Sequence, residues 1–236
     1  MSGHSRWAQI HRQKGVADTK RGALFTRMGN AVTIAAKTGG GNPETNFRLR
    51  LAIDQAKAVN MPKDNIERAV KRGTGELAGG RIDLVTYEGF GPAGVALMVE
   101  CLTDNRNRTS SAMKHLLTKH GGSLGGASSV GWLFEQKGVI RVKTISDELE
   151  LELIDAGAHD IRQNAGGVAV YTAITDLQKI KERLEQRGVA VEYAELEQVA
   201  KDKKKLSDDE QAQLEKLFAD LDENEDVSNY YSNADQ

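Results

Sequence analysis

The chain has little of several features that mark familiar classes of protein. Among its 236 residues there is one cysteine, Cys101, so an intrachain disulfide bond is impossible. No apolar run approaches the roughly 18 residues that cross a membrane, and residues 1–25 lack the apolar stretch of a secretory signal. These absences predict a soluble, cytoplasmic protein with no membrane partner. Cys101 lies in the apolar segment GVALMVECLT, which favours a buried structural thiol over a nucleophile.

Motifs for catalysis and metal binding are also scarce. The five histidines share no ligand spacing with Cys101, and neither a nucleophile-elbow serine nor a phosphate-binding lysine loop occurs. One segment, GFGPAG at 89–94, matches the glycine spacing of dinucleotide-binding loops. That motif requires a helix after the loop, whereas Pro92 interrupts this loop and a strand-like run follows. We therefore expect a tight turn between strands, no cofactor, no metal site and no enzymatic activity.

Charge is plentiful and unevenly distributed. Residues 1–80 hold 14 Lys and Arg against six Asp and Glu, a net charge of +8, whereas the remainder of the chain carries −10. Such asymmetry indicates a polyanionic partner for the basic part and a solvated, acidic body. The alternative is that the basic residues only cover the solvated faces of helices.

The most basic stretch is GHSRWAQIHRQKGVADTKRG, residues 3–22, in which Asp18 is the one acid. Lysine and arginine gain affinity for phosphates by releasing counterions, a tryptophan offers a stacking surface, and glycines let the backbone approach a phosphate chain. The candidate nucleic-acid-binding residues of the N-terminal region are His4, Arg6, Trp7, His11, Arg12, Lys14, Lys20, Arg21 and Arg27.

Hydrophobic periodicity predicts three helices before residue 80. The first covers about 17–37, the second begins with Asn42 as cap and Pro43 as first helical residue, and the third runs from Pro62 to Gly73. Packing their apolar stripes together leaves a set of basic residues facing outward. These residues are Arg12, Arg27, Arg50, Lys57 and Lys71.

From residue 81 strands and helices alternate. Two strands around GFGPAG precede a helix in RNRTSSAMKHLLTKHGG, and SVGWLFEQKGVIRVK predicts a hairpin that turns at QKG. A helix over about 146–157, a strand over 167–174, a helix over 176–187 and the strand VAVEYAELEQV follow. Near the end, Ser207 and Glu210 form a capping-box pattern before a helix. The closing VSNYYSN can return as a strand to the sheet begun near residue 82.

These elements predict an α+β chain of three domains. The first is a basic helical nucleic-acid-binding domain, residues 1–80, and two α/β sandwich domains follow it. The middle domain is discontinuous, residues 81–129 plus 206–236, and the domain of residues 130–205 is ferredoxin-like.

A second candidate site lies in TDNRNRTSS. Asp104 or Asn105 can cap the helix there, which places Arg106 and Arg108 in its first turn, where cations oppose the helix dipole. Free amide groups and two arginines make a candidate anion site that would contact nucleic acid. The alternative is that two solvated arginines pair with nearby acids.

Long segments resemble the YebC/PmpR family in order and across nearly the whole chain. They are GHSRWAQIHRQKGVADTKRG, FTR, NFRLRLAIDQAKAVNMPKDNIERAVKRGTGE, YEGFGPAGVALMVECLTDNRNRT and GGSLG. The resemblance implies a helical N-terminal domain, two α/β domains with the middle one discontinuous, and a DNA-binding transcriptional regulator. The same family includes a mitochondrial translational activator of cytochrome oxidase and bacterial members implicated in helping ribosomes through proline-rich nascent chains.

Two kinds of nucleic acid remain open as the target. A major-groove reader would need a recognition helix, and neither a clear helix-turn-helix spacing nor a zipper is evident. A basic arm in front of an acidic body suits folded RNA, where shape and phosphates are read, and the acidic domains can touch basic ribosomal proteins. We therefore favour a monomeric, ribosome-associated, RNA-binding translation factor, with a DNA-binding transcriptional regulator as the alternative.

Overall fold

The computed structural model describes residues 18–77, 82–164 and 166–235. Within them the chain forms a three-helix unit and two four-stranded antiparallel sheets. The helices are α1 (Asp18–Gly39), α2 (Phe47–Ala58), α3 (Lys63–Thr74), α4 (Arg106–Lys119), α5 (Asp147–Asp155), α6 (Leu177–Gln186) and α7 (Asp208–Glu223). The strands are β1 (Asp83–Phe90), β2 (Ala96–Thr103), β3 (Ser123–Leu124), β4 (Phe134–Val142), β5 (Ala158–Asn164), β6 (Gly167–Thr172), β7 (Val191–Ala200) and β8 (Val227–Ser232).

The first three helices pack around a small apolar core of their own. Helical periodicity predicts that Phe25, Met28, Val32 and Ala35 share one apolar face of α1. This is confirmed, because Met28, Val32 and Ala35 are buried in that core and Phe25 packs against it. Leu49 contributes from α2, and the hydroxyl of Thr33 donates a hydrogen bond to a carbonyl of α3. Apolar stripes that meet in this way leave the charged faces of the helices to solvent.

The second helix begins four residues later than predicted. Asn42 begins a turn, and its carbonyl accepts hydrogen bonds from the N–H groups of Thr45 and Asn46. The N-cap is Asn46, whose side-chain oxygen accepts from Leu49 N at 3.1 Å. Its amide nitrogen also donates to the carbonyls of Ala35 and Gly40, at 2.8 and 2.7 Å. Asn46 therefore ends one helix and begins the next, which explains why the cap lies there.

The third helix extends one residue beyond Gly73, its predicted end. A Cβ atom at position 73 would lie 2.4 Å from the carbonyl oxygen of Thr33, so glycine is needed there for α1 and α3 to approach. The helix is closed by Gly75, with a left-handed φ of 83°.

The first sheet has the strand order β3-β1-β2-β8. The predicted return of VSNYYSN is confirmed, since β8 pairs antiparallel with β2, with Val99 opposite Tyr230. Helices α4 and α7 cover one face of this sheet, and Phe218 stacks on Tyr230 with ring centroids 4.8 Å apart. The middle unit is therefore discontinuous in sequence, while the boundaries assigned to the three domains stay predictions.

The GFGPAG segment is the predicted turn between strands. Residues Pro92–Gly94 form a single 3-10 turn that connects β1 to β2, and Gly94 has a left-handed φ of 69°. Because a strand follows the turn, this segment lacks the helix that a dinucleotide-binding loop requires.

The second sheet has the strand order β5-β6-β4-β7, and its elements follow the β-α-β-β-α-β order of ferredoxin-like folds. The predicted hairpin at QKG is wrong, because β4 runs unbroken from Phe134 to Val142 and pairs on both sides. Gly138 is in the strand for a packing reason. A Cβ atom there would lie 2.2 Å from Thr172 Oγ1 and 2.9 Å from Leu177 Cβ.

Strand β5 was not predicted at all. Its sequence AHDIRQN is mostly polar, and it pairs on one side only, with β6. Edge strands of this kind do not need the apolar alternation by which strands are recognised in a sequence.

Contacts from α1 and α2 join the helical unit to both sheets. Leu51 of α2 is buried in the core beneath the second sheet, and Phe47 packs against the same core. Asp54 forms an ion pair with Lys181 of α6 at 3.7 Å. On the other side, Arg27 of α1 contacts the C-terminal end of α7, the helix that packs on the first sheet.

The prediction that Arg27 faces outward is wrong. The residue is 5% exposed, and its guanidinium donates hydrogen bonds to the carbonyl oxygens of Asp222 and Asn224, at 2.7 and 3.2 Å. These carbonyls lie at the C-terminal end of α7, where the helix dipole favours a cation. Arg27 therefore acts as a cap that fastens α1 to the end of α7.

We predict that Arg27→Met lowers the free energy of unfolding by about 2 to 4 kcal/mol, because methionine keeps much of the apolar stem but leaves two backbone carbonyls without their charged donor. Chemical denaturation would measure the change. The matched control is Arg68→Met on the exposed face of α3, which should shift the value by less than about 0.5 kcal/mol. Equal stability of the two variants would contradict the capping role.

Candidate nucleic-acid interface

The described part of the helical unit has an excess of exposed cations. Residues 18–77 contain eleven Lys and Arg against six Asp and Glu. On α2 and α3 the exposed cations are Arg48, Lys57, Lys63, Arg68, Lys71 and Arg72. Among them, Lys63 forms an ion pair with Glu67 at 3.6 Å on the same helix face. The predicted outward positions of Lys57 and Lys71 are confirmed, and Arg50 is half-buried with its guanidinium on the carbonyls of residues 43 and 44.

The predicted arm residues divide into two groups in the structure. His4, Arg6, Trp7, His11, Arg12 and Lys14 lie outside the described residues. Lys20 and Arg21 lie in the first turn of α1. The basic sequence thus leads directly into the helix that Arg27 fastens to the rest of the molecule, and its role in nucleic-acid binding stays a prediction.

The second candidate site begins at the cap of α4. Asn105 is the N-cap, and its side-chain oxygen accepts from Arg108 N at 3.1 Å. Arg106 and Arg108 therefore lie in the first turn, as predicted, and both side chains are more than half exposed. The hydroxyl of Tyr87 donates to the carbonyl of Arg106, which ties this turn to β1.

Both arginines pair with carboxylates of the same chain. Arg106 contacts Asp83 at 3.2 Å, and Arg108 contacts Asp226 at 3.0 Å and Asp104 at 3.1 Å. The hydrogen bond that Arg108 donates to the Asp226 carboxylate raises the pKa of Arg108 above its ordinary value. The arrangement matches the alternative of solvated arginines paired with nearby acids, and a phosphate would have to compete with these carboxylates.

Asp226 is the central carboxylate of this site. Besides the contact with Arg108, it accepts a hydrogen bond of 2.7 Å from the hydroxyl of Thr109. The oxygen atoms of the Thr109 and Thr103 hydroxyls lie 2.7 Å apart, which extends the hydrogen-bonded network to the end of β2. Asp226 lies just before β8, so the return of the C-terminal strand brings an acid to the N-terminus of α4. No local pattern around residues 104–109 indicates this partner.

The sequence interpretation did not identify Glu88 or Trp132. The Glu88 carboxylate accepts hydrogen bonds from three backbone N–H groups, those of Ser128, Val130 and Gly131, at 3.0, 2.8 and 2.6 Å. Burial alone would raise the pKa of Glu88, but the three N–H groups outweigh it and hold the pKa below its ordinary value. The carboxylate thereby fixes the glycine-rich loop that precedes Trp132. The alternation within β1 places Glu88 on the face of the exposed Leu84 and Phe90, so it indicates a solvated acid and does not reveal the loop partner.

The predicted structural role of Cys101 is consistent with its burial, and burial raises the pKa of its thiol to about 12. Among residues 18–77, 82–164 and 166–235, no three His, Cys, Asp or Glu side chains are grouped closely enough to hold a metal ion. In the same ranges no helix has the length and apolar character that a bilayer crossing requires.

We predict that Asp226→Asn increases affinity for nucleic acid severalfold if Arg106 and Arg108 contact phosphate, because the substitution removes the carboxylate that competes for Arg108. Fluorescence anisotropy with a labelled RNA hairpin would measure it. The matched control is Asp220→Asn, which removes a carboxylate from Lys119 and His120 at the other end of α4. If Asp226→Asn binds no more tightly than this control, the arginines belong to a structural ion-pair network.

Comparisons with known proteins cover nearly the whole chain. The sequence-family model named TACO1/YebC protein N-terminal domain matches residues 5–76. The family model named TACO1/YebC second and third domain matches residues 82–234. A probable transcriptional regulatory protein of Dehalococcoides mccartyi is 49% identical over 238 residues, which cover 100% of this chain and 95% of that protein. Another, from Caldanaerobacter subterraneus, is 45% identical over 239 residues, covering 100% and 98%.

A solved structure has the same fold. The crystal structure of a conserved hypothetical protein from Aquifex aeolicus superposes with a TM-score of 0.83 at 42% identity, covering 92% of this chain and 91% of that one. Together with the two domain models, which account for all three structural units, these relatives confirm the resemblance noted in the sequence. The chain belongs to the TACO1/YebC family.

Proposed function

We propose that the chain is a non-enzymatic, nucleic-acid-binding regulator of gene expression whose target is RNA of the ribosome. The observation that carries the proposal is the separation of charge, +8 in residues 1–80 against −10 in the rest. A protein with a basic N-terminal part and an acidic remainder binds a polyanion through the basic part only, because phosphates repel the acidic remainder. The curated relatives named probable transcriptional regulatory proteins support a regulatory role.

The exposed cations of α2 and α3 extend the basic arm into a broader surface. They lie on the solvent side of helices whose apolar sides are already used in the core. The arm would contribute Arg6, Arg12, Lys14, Lys20 and Arg21, with Trp7 as a stacking surface, and the helices would add phosphate contacts. Contacts of this kind recognise backbone and shape rather than sequence.

Folded RNA fits this surface better than a single duplex site. RNA presents phosphates in irregular crevices and unpaired bases at loops, which scattered cations and an aromatic ring can contact together. The acidic remainder of the chain would then face basic ribosomal proteins. We infer that the chain acts as a monomer, because a single basic face needs no second copy to bind such a crevice. Binding to ribosomes would place it in the cytoplasm.

Transcriptional regulation through DNA remains the second candidate. Helices α2 and α3 are joined by the four residues 59–62, and α3 exposes Arg68 and Arg72, whose guanidinium groups are suited to guanine edges. Recovery of one short palindromic DNA site from a random pool would favour this candidate. Preference for structured ribosomal RNA over duplex DNA at matched salt, with no DNA consensus, would favour the first.

We predict that changing Arg12, Lys14, Lys20 and Arg21 together to Ala weakens RNA binding and flattens its salt dependence, because fewer counterions are released. The slope of log K against log salt should fall by up to about 0.7 to 0.9 for each phosphate that the variant can no longer neutralise. Binding would be measured by anisotropy between 50 and 300 mM salt.

The matched control removes four cations from the acidic body, Lys143, Lys179, Arg183 and Lys216, all exposed. It changes the net charge by the same amount, so long-range electrostatics alone would affect both variants alike. An unchanged slope for the arm variant, or an equal decrease of the slope in the control, would contradict the proposal.

A further inference from the structure

Trp132 leaves a large aromatic ring in water. Its side chain is 67% exposed, and it lies in the 3-10 turn Gly131–Leu133 between the glycine-rich loop and β4. Tryptophan is normally buried or placed in contact with a partner, since its ring carries a large apolar area. The other strongly exposed apolar residues of the described chain are leucines, isoleucines and Phe90, so Trp132 is the largest of them.

The backbone around Trp132 is held in place from three sides. Glu88 fixes the N–H groups of Val130 and Gly131, and Val130 itself is fully buried. The ammonium group of Lys201 donates to the carbonyl oxygen of Trp132 at 2.9 Å, which ties the turn to the end of β7. On the other flank, Phe134 is buried in an apolar cluster with Val130.

The ring is also oriented. Its indole N–H donates to the carbonyl of Ser129 at 3.3 Å, which engages one edge of the ring in the turn. A ring fixed along its polar edge and held on an anchored backbone loses little conformational freedom when something stacks on its face. A surface residue without a partner does not need a fixed ring, whereas a side chain that binds a ligand by stacking does.

Cations accompany the ring. Lys201 contacts the Trp132 backbone directly, and the segment that it begins, KDKKK at 201–205, continues with two more exposed lysines, Lys203 and Lys205. One acid of this neighbourhood is Glu88, whose carboxylate is already engaged by the N–H groups of the loop before Trp132. The others are Asp202, Asp235, which pairs with Lys203 at 3.1 Å, and Glu135, which pairs with Lys137 at 3.1 Å. Lys204 points inward, where its ammonium group binds the carbonyl of Ala93.

An aromatic ring beside lysines matches one kind of ligand best. Single-stranded nucleic acids combine a flat base, which stacks on an aromatic side chain, with a phosphate on the same nucleotide, which an ammonium group attracts. An apolar protein partner would require further exposed apolar area beside the ring, but the neighbours Gly131 and Leu133 are both half-buried. A base inside a duplex has no free face to offer.

We propose that Trp132 is a stacking platform for an unpaired base, with Lys201, Lys203 and Lys205 facing the phosphates of the same strand. This inference rests on the proposed function, and it adds a second contact site on the acidic body of the chain. Together with the basic helical unit, the site would bind a folded RNA at two points and favour RNA that presents an unpaired nucleotide.

Fluorescence provides a direct test, because the chain has two tryptophans. In the Trp7→Phe variant all tryptophan emission comes from Trp132. Titration with a twelve-residue oligouridylate should quench this emission with saturation, whereas inorganic polyphosphate should bind without quenching, since it has no base to stack. Binding of the oligonucleotide without any quenching would overturn the proposal.

Substitutions at the ring give a second measurement. Trp132→Ala should weaken binding of an RNA hairpin with an unpaired loop by roughly tenfold, and Trp132→Phe should retain most of the affinity. The matched control is Leu151→Ala, on a side chain of α5 with 66% exposure, which should bind like the unsubstituted protein. Circular dichroism would establish that each variant is folded.

The outcomes separate this inference from the proposed function. If the unsubstituted protein binds neither RNA nor DNA, the proposed function fails. If it binds RNA and Trp132→Ala binds equally well, only the stacking platform fails. If Trp132→Ala loses affinity for intact ribosomes but oligouridylate does not quench Trp132, the ring contacts a protein, and the proposal of a base-stacking site is wrong.

Discussion

The pairing of β8 with β2 is the interaction on which the rest of the structure depends. It brings residues 227–232 back across the chain, buries Tyr230 completely and sets α7 against α4. The turn before β8 supplies Asp226 to the first turn of α4, and the end of α7 supplies the carbonyls that Arg27 caps. One long-range strand pairing therefore determines both the electrostatic surroundings of Arg108 and the attachment of the helical unit.

The two basic regions differ in what surrounds their charge. Arg106 and Arg108 are matched by carboxylates at distances of 3.0 to 3.2 Å, so their net field in solvent is small. The helices α2 and α3 expose more cations than acids, and the arm continues that excess. A polyanion would meet the helical unit first by electrostatic attraction, and contacts on the acidic body would form only after this encounter.

Elements whose signals are local could be predicted from the sequence. The apolar face of α1, the turn at GFGPAG and the capping box of Ser207 and Glu210 all depend on residues within a few positions of each other. The prediction of a hairpin at QKG is wrong because Gly138 makes room within β4 for Thr172 and Leu177, which are distant in sequence. Strand β5 was missed because a polar edge strand has no apolar alternation.

Less of the candidate site could be predicted, because its side chains are paired with residues that are distant in sequence. Helical periodicity places Arg27 on the outward side of α1, and it cannot reveal that the end of another helix covers this position. The acids that face Arg106 and Arg108 come from residues 83 and 226, of which the second is more than 100 positions away. The exposure of Trp132 likewise depends on a loop that Glu88 fixes across the sheet edge.

We propose above all that the chain binds RNA of the ribosome through its basic N-terminal region. Sedimentation of the native protein through a ribosome gradient, with and without ribonuclease, tests it most directly. We expect the protein to migrate with ribosomal particles at low salt, to move to the top of the gradient after nuclease treatment, and to be released as salt is raised. Protein that remains at the top of the gradient with intact ribosomes at low salt would contradict the claim.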